Sequence, residues 1–193
     1  GLAEIAFAVE QGKRQQGQHG HATGDEAYAR VFNRGLKFIF DAQYPHGGWP
    51  QRFPLEDNYG RRITFNDRLT VNVMETLRDV ARGRERVAFI PEAERRRAQE
   101  AFDRGIDAIL RCQVRDKSGQ LTVWGQQHDE RTFAPVKARS YELPSLTAFE
   151  SADLTLLLMS LEKPDARVRD GVAPDGRGHP HPPGQLKPPR VMR

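Results

Sequence analysis

Apolar residues recur along this chain with a helical period in five stretches, separated by polar or Gly/Pro-rich ones. Leu2, Ile5, Ala6 and Val9 predict a first helix from Gly1 to about Lys13. A polar linker with Gly17, His19, Gly20, His21 and Gly24 follows, and Asp25 is placed to cap a second helix running to about Gln43. In that helix Tyr28, Val31, Phe32, Leu36, Ile39 and Phe40 share one face. A third helix carries Leu69, Val73, Met74, Leu77 and Val80, with Asn66 or Thr64 as its cap and Gly83 at its end. Pro91 suits the first turn of a fourth helix that reaches about Gln113. Ser145 is expected to cap a fifth, with Leu146, Phe149, Leu154, Leu157, Leu158 and Leu161, which stops before Pro164.

Two of the connections, residues 43–67 and 114–144, are long. A loop of about 20 residues inside a compact domain signals function or disorder. Trp49, Phe53, Tyr59 and Phe65 in the first loop argue against disorder. Aromatic platforms that deliver Asp67 to a helix start suit a groove for a polar, ring-shaped ligand such as a sugar.

An internal repeat relates the two loops. Phe32-Asn33-Arg34-Gly35-Leu36, with Gln43 seven residues on, matches Phe102-Asp103-Arg104-Gly105-Ile106, with Gln113 seven residues on, at an offset of 70. Each copy is a helix, a long loop with a Trp, and a second helix. Both loops should therefore leave the same end of their units and face a common site. The fold class expected is all-α, an α/α toroid built of helix–long loop–helix units with little strand. The connections are too long for a plain helical bundle. The ordered domain is expected over 25–168, behind a partial helix and linker at 1–24. Residues 171–193 hold six Pro and four Gly with no apolar period, so a disordered tail is expected over 169–193.

Composition narrows the function classes. The 193 residues allow one domain, and the apolar share of 37% allows a lean core. The net charge of +4 resides mostly in residues 171–193, which carry +3, so no basic stripe for nucleic acid remains. No apolar run is long enough to span a membrane, and no signal peptide is visible. The start inside an apolar pattern, without Met, reads as a fragment. Cys112 stands alone in an apolar pattern and reads as a buried thiol.

Three clusters could carry chemistry: Thr64-Phe65-Asn66-Asp67, Gln126-Gln127-His128-Asp129 and Ala138-Arg139-Ser140-Tyr141-Glu142. Singly, Asp67 reads as a cap, Asp129 as a turn residue and Arg139/Glu142 as a surface ion pair. Together, two carboxylates with amide neighbours offer oxygen ligands of the kind Ca²⁺ takes, or the acid and base of a glycoside hydrolase. His128 has no second His or Cys at zinc-ligand spacing, and His179 and His181 sit in the Pro-rich tail.

Four blocks in order carry a family resemblance: Gly47-Gly48-Trp49-Pro50-Gln51, Ile63-Thr64-Phe65-Asn66-Asp67, Trp124-Gly125-Gln126-Gln127-His128-Asp129 and Ala138-Arg139-Ser140-Tyr141-Glu142-Leu143-Pro144-Ser145. From about Tyr28 to Val168 the chain resembles the family 10 polysaccharide lyases, the pectate lyases. The resemblance implies calcium-dependent anti-β-elimination on polygalacturonate (pectate), giving 4,5-unsaturated products. Residue by residue, it implies Asp67 and Asp129 as calcium and active-site acids. It implies Asn66, His128, Arg139 and Glu142 as groove residues, and Trp49 and Trp124 as walls. It further implies a secreted or periplasmic protein, monomeric at full length, with pectin as partner.

Two departures accompany the resemblance. Residues 1–24 match neither of the family's earlier blocks, and from Arg169 the tail replaces the segment that supplies the family's catalytic arginine. A frame shift or truncation near 169 is the expected cause, and activity of this chain is expected to be impaired. A non-catalytic module for acidic polysaccharide and a hydrolase using Asp67 and Asp129 stand as rival readings. An incomplete ring would also leave Leu154, Leu157, Leu158 and Leu161 short of packing partners and the chain poorly soluble.

Overall fold

A computed structural model describes residues 26–172. The first helix and linker, the Asp25 cap, and residues 173–193 of the tail lie outside the described residues. Five α-helices carry the fold: α1 Glu26–Ala42, α2 Leu69–Ala81, α3 Glu92–Cys112, α4 Ala148–Met159 and α5 Ala166–Val172. Four two-residue strands are the strand content of the long loops and their ends: β1 Ile63–Thr64, β2 Trp124–Gly125, β3 Gln127–His128 and β4 Leu146–Thr147. The described residues are mostly helical with little strand, as the apolar period requires.

The repeat is geometric as well as sequential. Trp49 Nε1 donates to the Ile39 carbonyl at 2.9 Å, and Trp124 Nε1 donates to the Ile109 carbonyl at 2.8 Å. Gln43 Nε2 donates to the Ala101 carbonyl and Gln113 Nε2 to the Gly171 carbonyl, both at 2.8 Å. Ile39 and Ile109, Gln43 and Gln113, and Ala101 and Gly171 each differ by the same 70 positions as the sequence repeat. α1 and α3 are thus each followed by a glutamine that grips the next helix, so α1, α3 and α5 form one series. α5, Ala166–Val172, is a helix that the sequence pattern does not predict, and it runs past residue 169, where the tail is expected to begin.

These contacts also fix direction. Phe89 packs on Phe32, and Arg97 stacks on Phe40 with its guanidinium 4.2 Å from the ring centre, so α1 and α3 run parallel. Arg68–Asp153, Arg78–Ser160 and Arg82–Glu162 contacts follow in order along α2 and α4, which are parallel too. Both long loops therefore leave one end of the helical array. There they pair directly through β1 and β3, while β2 and β4 pair within the second loop and its end, each pair antiparallel.

The core lies between α1, α2 and α3 and under the loops. Ile39, Met74, Leu77, Ile109 and Leu154 are wholly buried, as are Trp49, Ile63 and Trp124 from the loops. Gly47, at φ +89°, lies so close to the Arg104 carbonyl that a Cβ would fall 2.0 Å from its oxygen. That contact seats the first loop on α3. Cys112 is buried, and burial pushes its thiol pKa up, as the apolar pattern suggests.

Three expectations need correction. Neither Asn66 nor Thr64 caps α2. Thr64 belongs to β1, and α2 is entered from a 3₁₀ turn over Asn66–Arg68 whose Asp67 and Arg68 adopt left-handed conformations. Ser145 does not cap α4, because β4 intervenes and Thr147 holds that position. The apolar residues of α4 are also apportioned differently. Leu154, Leu157 and Leu158 are buried, while Phe149, Leu156 and Met159, at helical spacing, form an exposed stripe, and Leu143 and Leu146 before the helix are exposed as well.

Candidate functional site

The site lies where the two long loops meet. Ile63 pairs with His128 and Thr64 with Gln127, and Phe65 N donates to the Gln126 carbonyl at 2.9 Å. This short ladder has two ends with different chemistry. Arg62 and Asp129 stand at one. At the other the chain leaves the ladder at Phe65 and turns through Asn66 and Asp67.

The Asp67 corner is strained and open. Asp67 has φ +54° and Arg68 φ +59°, conformations that cost a non-glycine residue on the order of 1 kcal/mol or more. Buried Phe65 and Leu69 clamp the corner on either side, and Arg68 pairs with Asp153 of α4 at 2.5 Å. The exposed Asp67 carboxylate accepts from Asn66 Nδ2 at 3.2 Å and makes no ion pair among the described residues. Strain of this kind clusters at functional sites, so this carboxylate is offered outward by design of the surrounding core.

Asp129 is in the opposite situation. One oxygen accepts from the backbone N–H groups of Arg131 and Thr132, both at 3.0 Å, and the other meets Arg62 Nη1 at 2.5 Å. Burial works to raise its pKa. The Thr132 and Arg131 N–H groups and the Arg62 guanidinium outweigh burial and hold the carboxyl below its ordinary range. Glu130, nearly buried, meets Arg62 Nη1 at 2.7 Å and Arg61 Nε at 2.9 Å. Tyr44 OH donates to the Arg61 carbonyl, and its phenol is pushed up to about 12, by burial first and then by Glu130.

His128 holds this turn from below. Its Nε2 accepts from Gly125 N at 3.0 Å, so Nδ1 carries the proton and donates to the Phe133 carbonyl at 2.8 Å. Phe133 itself sits at φ +63°, a costly conformation for a bulky residue. Burial pushes the His128 pKa down, which keeps the ring neutral and the tautomer fixed.

Arg139 and Glu142 close a separate hook. Arg139 Nη2 donates to Glu142 Oε1, Arg139 N donates to Oε2 at 3.0 Å, and the guanidinium lies 5.0 Å from the Tyr141 ring centre. The side-chain bond raises the Arg139 pKa further and lowers Glu142 to about 2. Between this hook and the Asp129 turn lies a cleft of about 710 Å³, lined by Tyr59, Arg61, Arg62, Asp129, Glu130, Arg131, Lys137, Ala138 and Pro144, among others.

Several sequence expectations change here. Trp49 and Trp124 wall no groove: both are buried, and each spends its indole N–H on a helix carbonyl. Phe65 is likewise core, whereas Tyr59 does reach the cleft. His128 lines nothing, since it is wholly buried with both ring nitrogens engaged. Asp67 and Asp129 share one loop end but not one cluster, because the β1–β3 ladder keeps them at its opposite ends. Among the described residues no three His, Cys, Asp or Glu side chains gather as a metal site. Asp67 alone offers a single free carboxylate, far short of the six to eight oxygens Ca²⁺ takes, so the residues present do not build a calcium site by themselves.

The sequence reading missed Arg61, Arg62 and Glu130. Neighbour spacing carries no signal for them: Arg62 faces Asp129 because the antiparallel ladder pairs Ile63 with His128, a register set by the tertiary structure.

A family model described as pectic acid lyase matches residues 18–176. A solved family 10 polysaccharide lyase from Cellvibrio cellulosa is 32% identical with a TM-score of 0.73, covering 78% of this chain and 46% of that one. A mutant of a family 10 polysaccharide lyase from the same organism, solved with trigalacturonic acid, gives the same identity and TM-score and is covered over 47% of its length. The chain thus spans about half the length of these solved relatives. No curated protein matches it.

Proposed function

The chain belongs to the pectic acid lyase family, and on that premise we propose that it is the part of a pectate lyase that grips polygalacturonate for β-elimination. The observation that carries this reading is the loop end itself. A strained Asp67 that makes no ion pair among the described residues stands at the entry to α2, and an exposed, charged Arg139 stands in the second long loop, between β3 and β4. The relative solved with trigalacturonic acid supports an acidic oligosaccharide as the ligand.

In such a reaction a base removes the C5 proton of a uronate. Its electron pair forms the C4–C5 double bond, the C4–O bond breaks, and the departing oxygen takes a proton. Arg139 does not supply the base, because Glu142 holds its guanidinium charged. One Arg139 N–H is engaged by Glu142, and the role of Arg139 is to donate another of its N–H groups to a uronate carboxylate, which makes the adjacent proton more acidic. Asn66 and Asp67 present an amide and a carboxylate to the sugar. Calcium is the cofactor implied by the family. Asp67 is the one carboxylate of the expected pair that makes no ion pair among the described residues.

A second reading, binding without turnover, is favoured by one fact. The two side chains best placed to be a base, Arg139 and His128, are respectively locked in the charged form and buried with both nitrogens used. One experiment separates the readings: ultraviolet absorbance of unsaturated uronate, with chain and polygalacturonate, with and without Ca²⁺. A rise that needs Ca²⁺ supports the lyase. Binding of polygalacturonate with no rise supports the gripping module. A chain that neither binds nor cleaves overturns both. Asp67→Asn should weaken whichever activity is found while leaving the melting temperature unchanged.

A further inference from the structure

We propose that the cleft beside the Asp129 turn is an outer subsite for the polyuronate chain, in which Arg131 and Lys137 receive carboxylates. This rests on the pectate reading above and extends it to chain length. The cleft holds four cations, and they fall into two kinds. Arg61 and Arg62 are spent on Asp57, Asp129 and Glu130, which also line the cleft. Arg131 and Lys137 are exposed and make no ion pair among the described residues.

Their backbones are nonetheless fixed. Arg131 N donates to Asp129 Oδ1 at 3.0 Å. Lys137 follows Val136, whose N–H donates to the Gln127 carbonyl at 3.0 Å, and Pro135 bridges to His128. The two cations therefore rise from the turn and the return limb of one hairpin, and His128 holds that hairpin rigid. Tyr59 adds an aromatic surface to the opposite wall.

The internal ion pairs give the cleft its selectivity. They leave Arg131 and Lys137 as the cations of the cleft outside ion pairs among the described residues, over a wall of Asp57, Asp129 and Glu130. A single small anion gains little there, while a chain already anchored near Arg139 gains from both. Ala138 and Pro144 line the cleft and flank the Arg139–Glu142 hook in sequence, so a chain leaving the hook passes into it. The volume of about 710 Å³ falls within the roughly 300–1,000 Å³ common for small-molecule sites.

The test is calorimetric binding of tri- and hexagalacturonate to the wild-type chain and to the double variant Arg131→Ala/Lys137→Ala. Two exposed charge contacts should make the hexamer bind the wild type about tenfold more tightly than the trimer. The double variant should lose that preference with trimer affinity unchanged, and added salt should erode the preference. Arg131→Lys should retain it. A wild type that binds both oligomers equally, or a variant that keeps the preference or weakens both alike, overturns the subsite alone. A wild type that binds neither overturns the pectate reading as well. Both side chains are exposed, so an unchanged melting curve for the variant confirms that folding is not what is measured.

Discussion

Tryptophan, histidine and arginine each have more than one use, and at the residue scale the structure decides which. Trp49 and Trp124 look like sugar platforms in a loop, yet both serve the core. Replacing either with Phe keeps most of the packing but leaves the Ile39 or Ile109 carbonyl without its donor. Each substitution should lower stability by about 1–2 kcal/mol in urea unfolding, with oligogalacturonate affinity unchanged. A groove wall would show the reverse. For His128 the sign is as follows. Burial lowers its folded pKa, so the unfolded chain binds a proton more readily, and this term destabilises as pH falls below the unfolded value of about 6.5. His128→Gln should be less stable at neutral pH, by about 1–3 kcal/mol, and should lack that acid-side loss. Melting temperatures of both proteins between pH 5 and 8 provide the check. Glu142 works lower. Its folded pKa of about 2 lies below the ordinary 4.5, so its contribution is present above 4.5 and fades as pH falls towards 2. The hook with Arg139 therefore persists wherever polygalacturonate is charged.

Among the elements, α4 is the one whose surroundings are incomplete in the described residues. Its Leu154, Leu157 and Leu158 are packed, so an expected loss of stability at those positions does not arise. The exposed stripe of Phe149, Leu156 and Met159 is the feature that threatens solubility. A helix apolar on both faces is the pattern of one covered on both sides. Leu156→Lys with Met159→Lys should raise the soluble yield and shift light scattering towards monomer, with the melting temperature altered by no more than the small effect of surface changes, about 0.5 kcal/mol. Scattering unchanged by both lysines would place the association elsewhere. The junction of loop and helix is less forgiving. Gly47→Ala would drive a Cβ against the Arg104 carbonyl, where neither backbone can yield, and should cost about 3 kcal/mol or more in the same unfolding assay.

For the whole molecule, one repeated bond pattern organises both fold and site. Glutamine-to-carbonyl bonds at an offset of 70 carry α1 into α3 and α3 into α5, and this keeps the loop ends together. Such a regular series of helical hairpins is what an α/α toroid is made from. The same arrangement separates the acids: Asp129 and Glu130 are neutralised by Arg61 and Arg62, while Asp67 stays free. Millimolar Ca²⁺ alone should therefore leave the melting temperature where it is, and should raise it only when polygalacturonate is present to contribute oxygens. A clear shift from Ca²⁺ alone would mean that these residues do form a site.

The sequence by itself determined α1 to α4, their long connections, the repeat and the family, but not α5. Those features rest on local periodicity and on residues close together along the chain, and a one-dimensional pattern records them faithfully. It also pointed to Asp67, Asp129, Arg139 and Glu142, because each stands in a polar motif beside a helix start or turn. Only the tertiary structure decided which of these are free. Ion pairing and burial join residues some 67 positions apart, as Arg62 and Asp129 are. A tryptophan's role depends on whether a helix carbonyl lies within reach of its N–H, and an acid's role on which cation the strand register sets opposite it. Neither is written in the spacing of neighbours.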